Sequence, residues 1–326
     1  VMQISQLIIM EKRKKKVYVI INPVSGTSSK QNLPHKIAEM LDARKFDVHI
    51  IITGYAGHGS EIASQAIEDK ADYVIAVGGD GTVNEVARTL VGSEIALGII
   101  PLGSGNGLAR DLNISIDVKK ALKIITEENI ISIDYGKVNG RIFFCTCGMG
   151  FDAEVAAKVS GKKNRGSFMY LKNMLETFFK QEPQNYEITC PEGTIKDKAF
   201  VVTCANASQY GYNAHIAPHA DIQDGKMNIA ILKPLSILDV PQTSLQLFAK
   251  KIDENNKMIE LLTNEVTIKR EKPGAMHIDG DPVEMGEEIH VKIIPKGLKV
   301  LVPSKLPKKN PLDPQEVLYR IMDAFS

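Results

Sequence analysis

A chain of 326 residues exceeds the usual span of one compact domain and predicts two. Hydrophobic residues make up 44% and charged residues 24%, which excludes a disordered chain. Forty basic residues stand against 39 acidic ones, so the basic excess of a nucleic-acid binder is missing and nucleic acid is not an expected partner. In chain order, "VMQISQLIIMEKRKKKVYVI" puts a short apolar piece ahead of its charges, the reverse of an export signal. From Val17 to about Tyr135, apolar runs alternate with amphipathic stretches. "VYVIIN", "FDVHIIIT", "YVIAVGG" and "IALGIIPLG" read as strands; "LPHKIAEMLDAR", "HGSEIASQAIEDK", Val83–Val91 and Gly105–Leu112 read as helices. Continuous apolar strands in such an alternation predict a parallel sheet covered on both faces.

After about Ile131 the texture changes. Strand-like pieces ("ISIDYGKV", "RIFFCTC", "NYEITC", "KAFVVTCANA", "KMNIAIL", "EVTIKRE", "MHIDGD", "IHVKII", "KVLVP") are separated by the turn signals "VNGR", "PEGT" and "QDGK". This predicts a mostly antiparallel β half with two helical interruptions, near Ser167–Lys180 and Ile237–Lys251. The expected division is an α/β domain at 1–135 and a β-rich domain at 136–302, with 303–326, whose end "PLDPQEVLYRIMDAFS" reads as a capped helix, packing back on the first. No apolar run approaches the roughly 20 residues needed to cross a bilayer, so no transmembrane segment is expected. Cys145, Cys147, Cys190 and Cys204 form no CxxC pair and have no histidine at zinc spacing, which fits reduced thiols in a cytosolic protein. Cys145 and Cys147, two apart, are expected to share one strand face in the core.

Every candidate for chemistry in the first half follows an apolar strand, where open parallel sheets place ligands. "NPVSG" follows the first, "TGYAGHG" the second, "GGDGTVNE" the third and "PLGSGNG" the fourth. Glycine-rich loops suit phosphate because backbone amides can donate unobstructed, and Thr53, Thr82 and Ser104 add hydroxyl donors. Asp80 can hold a cation or accept a proton. The chain has no GxxxxGK[ST], and Gly103–Gly107 lacks GxGxxG spacing, so neither common phosphate fingerprint applies.

Taken in this order, "NPVSG", "TGYAGHG", "GGDGTVNEV", "PLGSGNGLAR", "APHADIQDGKMNIAIL" and "HIDGDPVEM" resemble the diacylglycerol kinase catalytic-domain family, which includes bacterial lipid kinases and is related to sphingosine and ceramide kinases. The resemblance runs from about Val17 to Pro303. It implies a two-domain lipid kinase fold, its first half like NAD kinases and phosphofructokinases. ATP would lie in the interdomain cleft against Asn22, Pro23, Val24, Ser25, Gly26, Thr53, Gly79, Asp80, Gly81, Thr82, Val83, Asn84, Glu85 and Ser104, with Asp80 near the phosphates and their Mg2+. A structural Mg2+ would be held by Asp221, Asp224 and the Lys226 carbonyl; the other reading of "QDGK" is a plain hairpin turn. Asp281 stands where similar enzymes carry glutamate as general base, one methylene shorter, with Glu284 as a nearby substitute.

The implied reaction is magnesium-dependent phosphorylation of the hydroxyl of diacylglycerol or a similar lipid. A sphingoid-base or ceramide kinase, a noncatalytic lipid- or nucleotide-binding protein and an NAD-kinase-like enzyme are the alternatives. The implied partner is a membrane lipid at the bilayer surface, reached from the cytoplasmic side of the inner face, and the resemblance leaves room for a homodimer. Docking candidates are the basic run Lys12–Lys16, the segment Lys162–Lys180 and Lys305, Lys308 and Lys309. In the second of these, Phe168, Leu171, Leu175 and Phe178 fall at helical spacing near Lys163, Arg165 and Lys172. His58, in the second loop, is expected to position it; His215, His219 and His277 are expected to be structural.

Overall fold

A computed structural model describes residues 13–25, 32–151, 153, 182–191 and 193–304. Gly26, Lys12, the segment 162–180 with its apolar stripe, and 305–326 lie outside the described residues.

The first half forms as its patterning predicts. Strands β1 (Lys15–Ile21), β2 (Phe46–Ile52), β3 (Tyr73–Gly78) and β4 (Ala96–Pro101) pair in parallel in the order β2-β1-β3-β4. All six residues of β3 and of β4 are buried, as strands covered on both faces must be. Between them run α1 (Leu33–Met40), α2 (His58–Glu68) and α3 (Asp80–Leu90), followed by the short α4 (Gly107–Asp111). Helix α3 starts at Asp80, three residues ahead of expectation. Extended Gly79 is its N-cap, and the Val83 amide donates to the Gly79 carbonyl at 3.1 Å. Helix α5 (Val118–Glu127) was not anticipated, although its signal is complete: Asp117 caps the Lys120 amide at 2.9 Å, and Ala121, Leu122, Ile124 and Ile125 bury one stripe.

The second half extends that sheet and adds another. Strand β16 (Glu288–Leu301) pairs in parallel with β4 through Lys299 and Val300, and antiparallel with β5 (Ile130–Val138) and β13 (Glu265–Arg270). The pieces "IHVKII" and "KVLVP" are thus one strand, broken in register between Ile294 and Leu298. Beyond β13 lie β8 (Gln184–Cys190) and β9 (Gly193–Ala199), while β6 (Arg141–Phe143) hangs on β5. The position 135/136 falls inside β5, because the strand continues to Val138 against β16. A separate six-stranded antiparallel sheet has the order β12 (Met258–Thr263), β11 (Met227–Leu232), β10 (Val201–Ala205), β7 (Thr146–Gly150), β14 (Gly274–Ile278), β15 (Asp281–Met285). Between the two sheets a core of Val138, Ile188, Ile289, Met149, Ile229 and Met276 is sealed from water. Helix α6 (Val240–Phe248) lies outside it and buries none of its residues fully.

Cys145 and Cys147 correct one expectation. The chain bends at Phe144 and Cys145 between β6 and β7, and the two cysteines, both buried, pack into different cores. The bend exists because the Phe144, Cys145 and Thr146 amides turn toward one carboxylate, that of Asp279, at 2.9, 2.8 and 3.1 Å.

Candidate active site

The four strand-end loops are tied to one another. After β1, Asn22 donates through Nδ2 to the Thr82 hydroxyl at 2.9 Å, and its Oδ1 accepts the Val24 amide at 3.0 Å, which leaves Pro23 and Val24 exposed at the tip. After β2, the Thr53 amide donates to the Ile21 carbonyl at 2.9 Å. His58 accepts the Gly54 amide on Nδ1 at 3.0 Å and stacks on Tyr55, the positioning role expected for it. Glu85 accepts the Ser60 amide at 3.1 Å in the first turn of α2. Its carboxylate therefore joins α2 to α3, and Val83 and Asn84 are buried, so those two offer a ligand little beyond backbone.

The third and fourth loops are locked by Asp80. One carboxylate oxygen accepts the Asn106 amide at 2.8 Å and the other the Gly107 amide at 2.7 Å. Burial pushes this carboxyl above the usual range, and the two amides pull it partly back. Asp80 is thus a bracket between loops rather than a side chain standing open to solvent. Within the fourth loop Asn106 adopts φ +49° and clasps Gly103 from both sides, accepting its amide at 3.0 Å and donating to its carbonyl at 2.6 Å. Gly81 sits in the exposed first turn of α3 with no atom within 4 Å of where a Cβ would be, so that helix end remains open.

The β-rich half supplies the other wall. Tyr212 donates its hydroxyl to Ser104 Oγ at 2.6 Å and its amide to the Gly105 carbonyl at 3.2 Å. Ser208 donates its amide and hydroxyl to Asp111 at 2.9 and 2.5 Å. Cys145 lies beneath: burial raises its thiol well above the ordinary value, and the carboxylates of Asp279, Asp111 and Asp80 add to the effect. Three carboxylates from three chain segments therefore converge under the loops. Asp111, Ser208, Tyr212 and Asp279 were missed from sequence; the signals were "LARDL", the polar "NASQYGYNAH" between apolar runs, and the first aspartate of "DGD".

The "HIDGD" motif is a two-residue turn with Asp279 at φ +50° and Gly280 at +85°, joining β14 to β15. Asp279 is half-buried, with its carboxylate turned inward and its oxygens taken by the three amides; desolvation raises its carboxyl, while those amides and Arg88 oppose the rise. Asp281 is exposed at the start of β15, opposite Ile278. Glu284 lies three positions along the strand and so on the opposite face, which removes it as a stand-in for Asp281.

In the "QDGK" turn, Asp221 Oδ1 accepts the Gln223 amide at 3.1 Å and Asp224 Oδ1 accepts the Lys226 amide at 2.8 Å. The turn hangs on fully buried Asp134, which accepts Gly225 N at 2.6 Å and Lys296 N at 2.7 Å. Among the described residues no three His, Cys, Asp or Glu side chains cluster as a metal cage, and one oxygen of each of the Asp221 and Asp224 carboxylates is taken by an amide of the turn itself. The basic run is not a loose patch. Arg13 forks onto Asp72 at 2.8 and 2.9 Å, and Lys15 pairs with Glu128 at 2.9 Å, because the run is the entry into β1.

A parallel α/β half with amide-rich strand-end loops, met at those loops by an antiparallel β half, defines a two-domain architecture with its strand-end loops at the junction. Comparison with known proteins agrees. Residues 16–138 match the diacylglycerol kinase catalytic domain, and residues 145–302 match the YegS C-terminal NAD kinase beta sandwich-like domain. The chain belongs to the diacylglycerol kinase catalytic-domain family, with a YegS-type C-terminal domain as its second half. It is 29% identical over 287 residues to proteins of Escherichia coli (strain K12 / DH10B) and Shigella flexneri serotype 5b that bear the name "Probable lipid kinase YegS", covering 86% of this chain and 94% of each of those. A crystal structure described as a diacylglycerol kinase from Bacillus anthracis str. Sterne shares the fold, with a TM-score of 0.72 and 22% identity over 90% of this chain and 98% of that one. No helix among the described residues is long and apolar enough to cross a membrane.

Proposed function

We propose that the protein transfers the γ-phosphoryl group of ATP to the hydroxyl of diacylglycerol or a similar lipid, working at the cytoplasmic surface of a membrane. The observation that carries this reading is the Asp80 bracket, which sets the open end of α3 and the 103–107 loop side by side. Phosphoryl transfer needs positioning and charge stabilisation above all, and a rigid set of backbone amides at a helix N-terminus supplies both. The Asn22–Ser25 turn and Thr53 would close the nucleotide side. Asp281 would take the lipid hydroxyl's proton, since its exposure leaves it accessible while Asp279 is committed to three amides. Asp221, Asp224 and the Lys226 carbonyl would hold Mg2+ and stiffen the turn below Asp134, and a second Mg2+ would neutralise phosphate charge near Asp80.

The deciding experiment offers labelled ATP and Mg2+ with vesicles containing diacylglycerol, ceramide or a sphingoid base in turn. Label appearing in phosphatidic acid supports the proposed acceptor. Label only in a sphingoid or ceramide product moves the substrate, and no labelled lipid with retained ATP binding favours a noncatalytic protein.

A further inference from the structure

The loop Ser208–His215 holds three consecutive residues in the left-handed region: Gly211 at φ +114°, Tyr212 at +52° and Asn213 at +60°. Glycine and asparagine accept that conformation readily. A tyrosine there is strained, and such a residue persists only where its surroundings over-determine it.

The surroundings do. The Tyr210 amide donates to the Ala214 carbonyl at 3.0 Å, the Ala214 amide to the Gly211 carbonyl at 2.9 Å, and the Asn213 amide to Gln209 Oε1 at 3.2 Å. Ser208 is bound to Asp111 at one end of the loop, and the His215 amide donates to Leu247 of α6 at the other, at 3.0 Å. What the strained residue achieves is contact with the opposite half. A Cβ on Gly105 would lie 2.9 Å from Asp80 Oδ2 and 3.5 Å from Tyr212 Cε2, so Asp80 and the tyrosine ring flank the same glycine. The Tyr212 hydroxyl continues to exposed Ser104 and donates to its oxygen.

That direction of donation matters chemically. A serine oxygen that already accepts a proton turns its own O–H elsewhere, and the bond it accepts strengthens the one it gives. We propose that Tyr212 is a positioning residue of the nucleotide site: it holds Ser104 as a donor toward the phosphate chain and couples the β-rich half to the phosphate loop. This rests on the nucleotide reading above. Tyr212 acts through Ser104 and adds no donor of its own to the phosphates.

The test is a double-mutant cycle on the full chain, reading ATP affinity by calorimetric titration, steady-state KM and kcat, and Tm. Tyr212→Phe keeps the ring and removes the donor. It should weaken ATP binding and raise KM for ATP about five- to tenfold, the usual scale of one hydrogen bond, with kcat within about twofold and Tm unchanged. Ser104→Ala should lose as much or more, and the double variant should be no worse than Ser104→Ala alone. Wild-type ATP affinity in Tyr212→Phe, or losses that multiply in the double variant, overturns the assignment and leaves the nucleotide site standing. A lower Tm with unchanged affinity makes Tyr212 purely structural and also overturns it. A wild-type protein that takes up neither ATP nor ADP overturns the nucleotide reading and this inference together.

Discussion

Gly79 and Gly103 meet backbone to backbone: a Cβ on Gly103 would lie 2.6 Å from Gly79 Cα, and one on Gly79 would lie 3.2 Å from Gly103 Cα. The side of Gly79 where a Cβ would point is filled by the Gly103 backbone. Gly79→Val should therefore destabilise the fold by about 1–3 kcal/mol through overpacking, whatever it does to nucleotide. Gly81 is the cleaner probe, because its Cβ would enter open space in the first turn of α3. Gly81→Ala should keep or raise Tm, alanine being favoured over glycine in a helix by about 0.5–1 kcal/mol. Gly81→Leu should cost at least tenfold in ATP affinity with the fold intact. Thermal unfolding and ATP titration of the three variants check this, and unchanged affinity in Gly81→Leu would place the phosphates elsewhere.

The Asp80 bracket predicts a pH signature. Burial raises its carboxyl above the usual value of 3.8, so between that value and the raised one the folded state holds a proton that the unfolded chain has released. Its contribution to stability is present below 3.8 and is lost as pH rises through the folded value, a loss that the Asn106 and Gly107 amides moderate by favouring the ionised form. The stability difference between wild type and Asp80→Asn should thus shift against wild type as pH rises from about 3.8. Urea unfolding from pH 3.5 to 7 measures it, and a difference that moves in wild type's favour would contradict the assignment.

For the magnesium turn the expected result is a Tm that rises with Mg2+ in wild type and no longer does so in Asp221→Asn/Asp224→Asn. Asp134→Asn should behave differently. It leaves the Gly225 and Lys296 amides short of an acceptor and lowers Tm with or without Mg2+, at the roughly 1–3 kcal/mol of a buried unpaired group. Differential scanning fluorimetry with EDTA, Mg2+ and Ca2+ separates these cases. If wild type shows no response to Mg2+, the turn is a hairpin and nothing more.

The parallel half was legible because its strands are continuous apolar runs and its loops punctuate them with glycine; β3 followed by Gly78–Gly81 could be placed from residues alone. What stayed hidden were roles that depend on contacts distant in sequence. Asp80 reads as a ligand residue in isolation, and only the fold brings it to amides 26 and 27 residues away. Asp279 looks like the first half of a turn dipeptide until the amides of 144–146, more than 130 residues earlier, are found around it. Tyr212 carries no periodicity signal, and its importance lies in a φ value and one hydroxyl contact. Strand β16 was split in two because its bulge at 295–297, "PKG", reads as a turn.

The two aspartates of "DGD" make separable predictions. Asp281 is exposed, so Asp281→Asn should leave Tm and ATP affinity near wild type while lowering kcat about 10²-fold or more, the scale of a lost general base. Asp281→Glu restores the reach of the similar enzymes and should retain activity, exceeding wild type if the Asp279–Gly280 turn has not moved to compensate for the shorter side chain. Asp279→Asn replaces an acceptor-only carboxylate facing three amides with a group that must point an NH2 at one of them, so it should lower Tm first and activity as a consequence. Glu284→Gln, on the opposite face of β15, should change kcat less than twofold. Steady-state kinetics on mixed vesicles, read beside thermal unfolding for each variant, decides the matter. A stable Asp281→Asn with full kcat would move the base to another carboxylate, and an Asp279→Asn that keeps its Tm but loses kcat would name which.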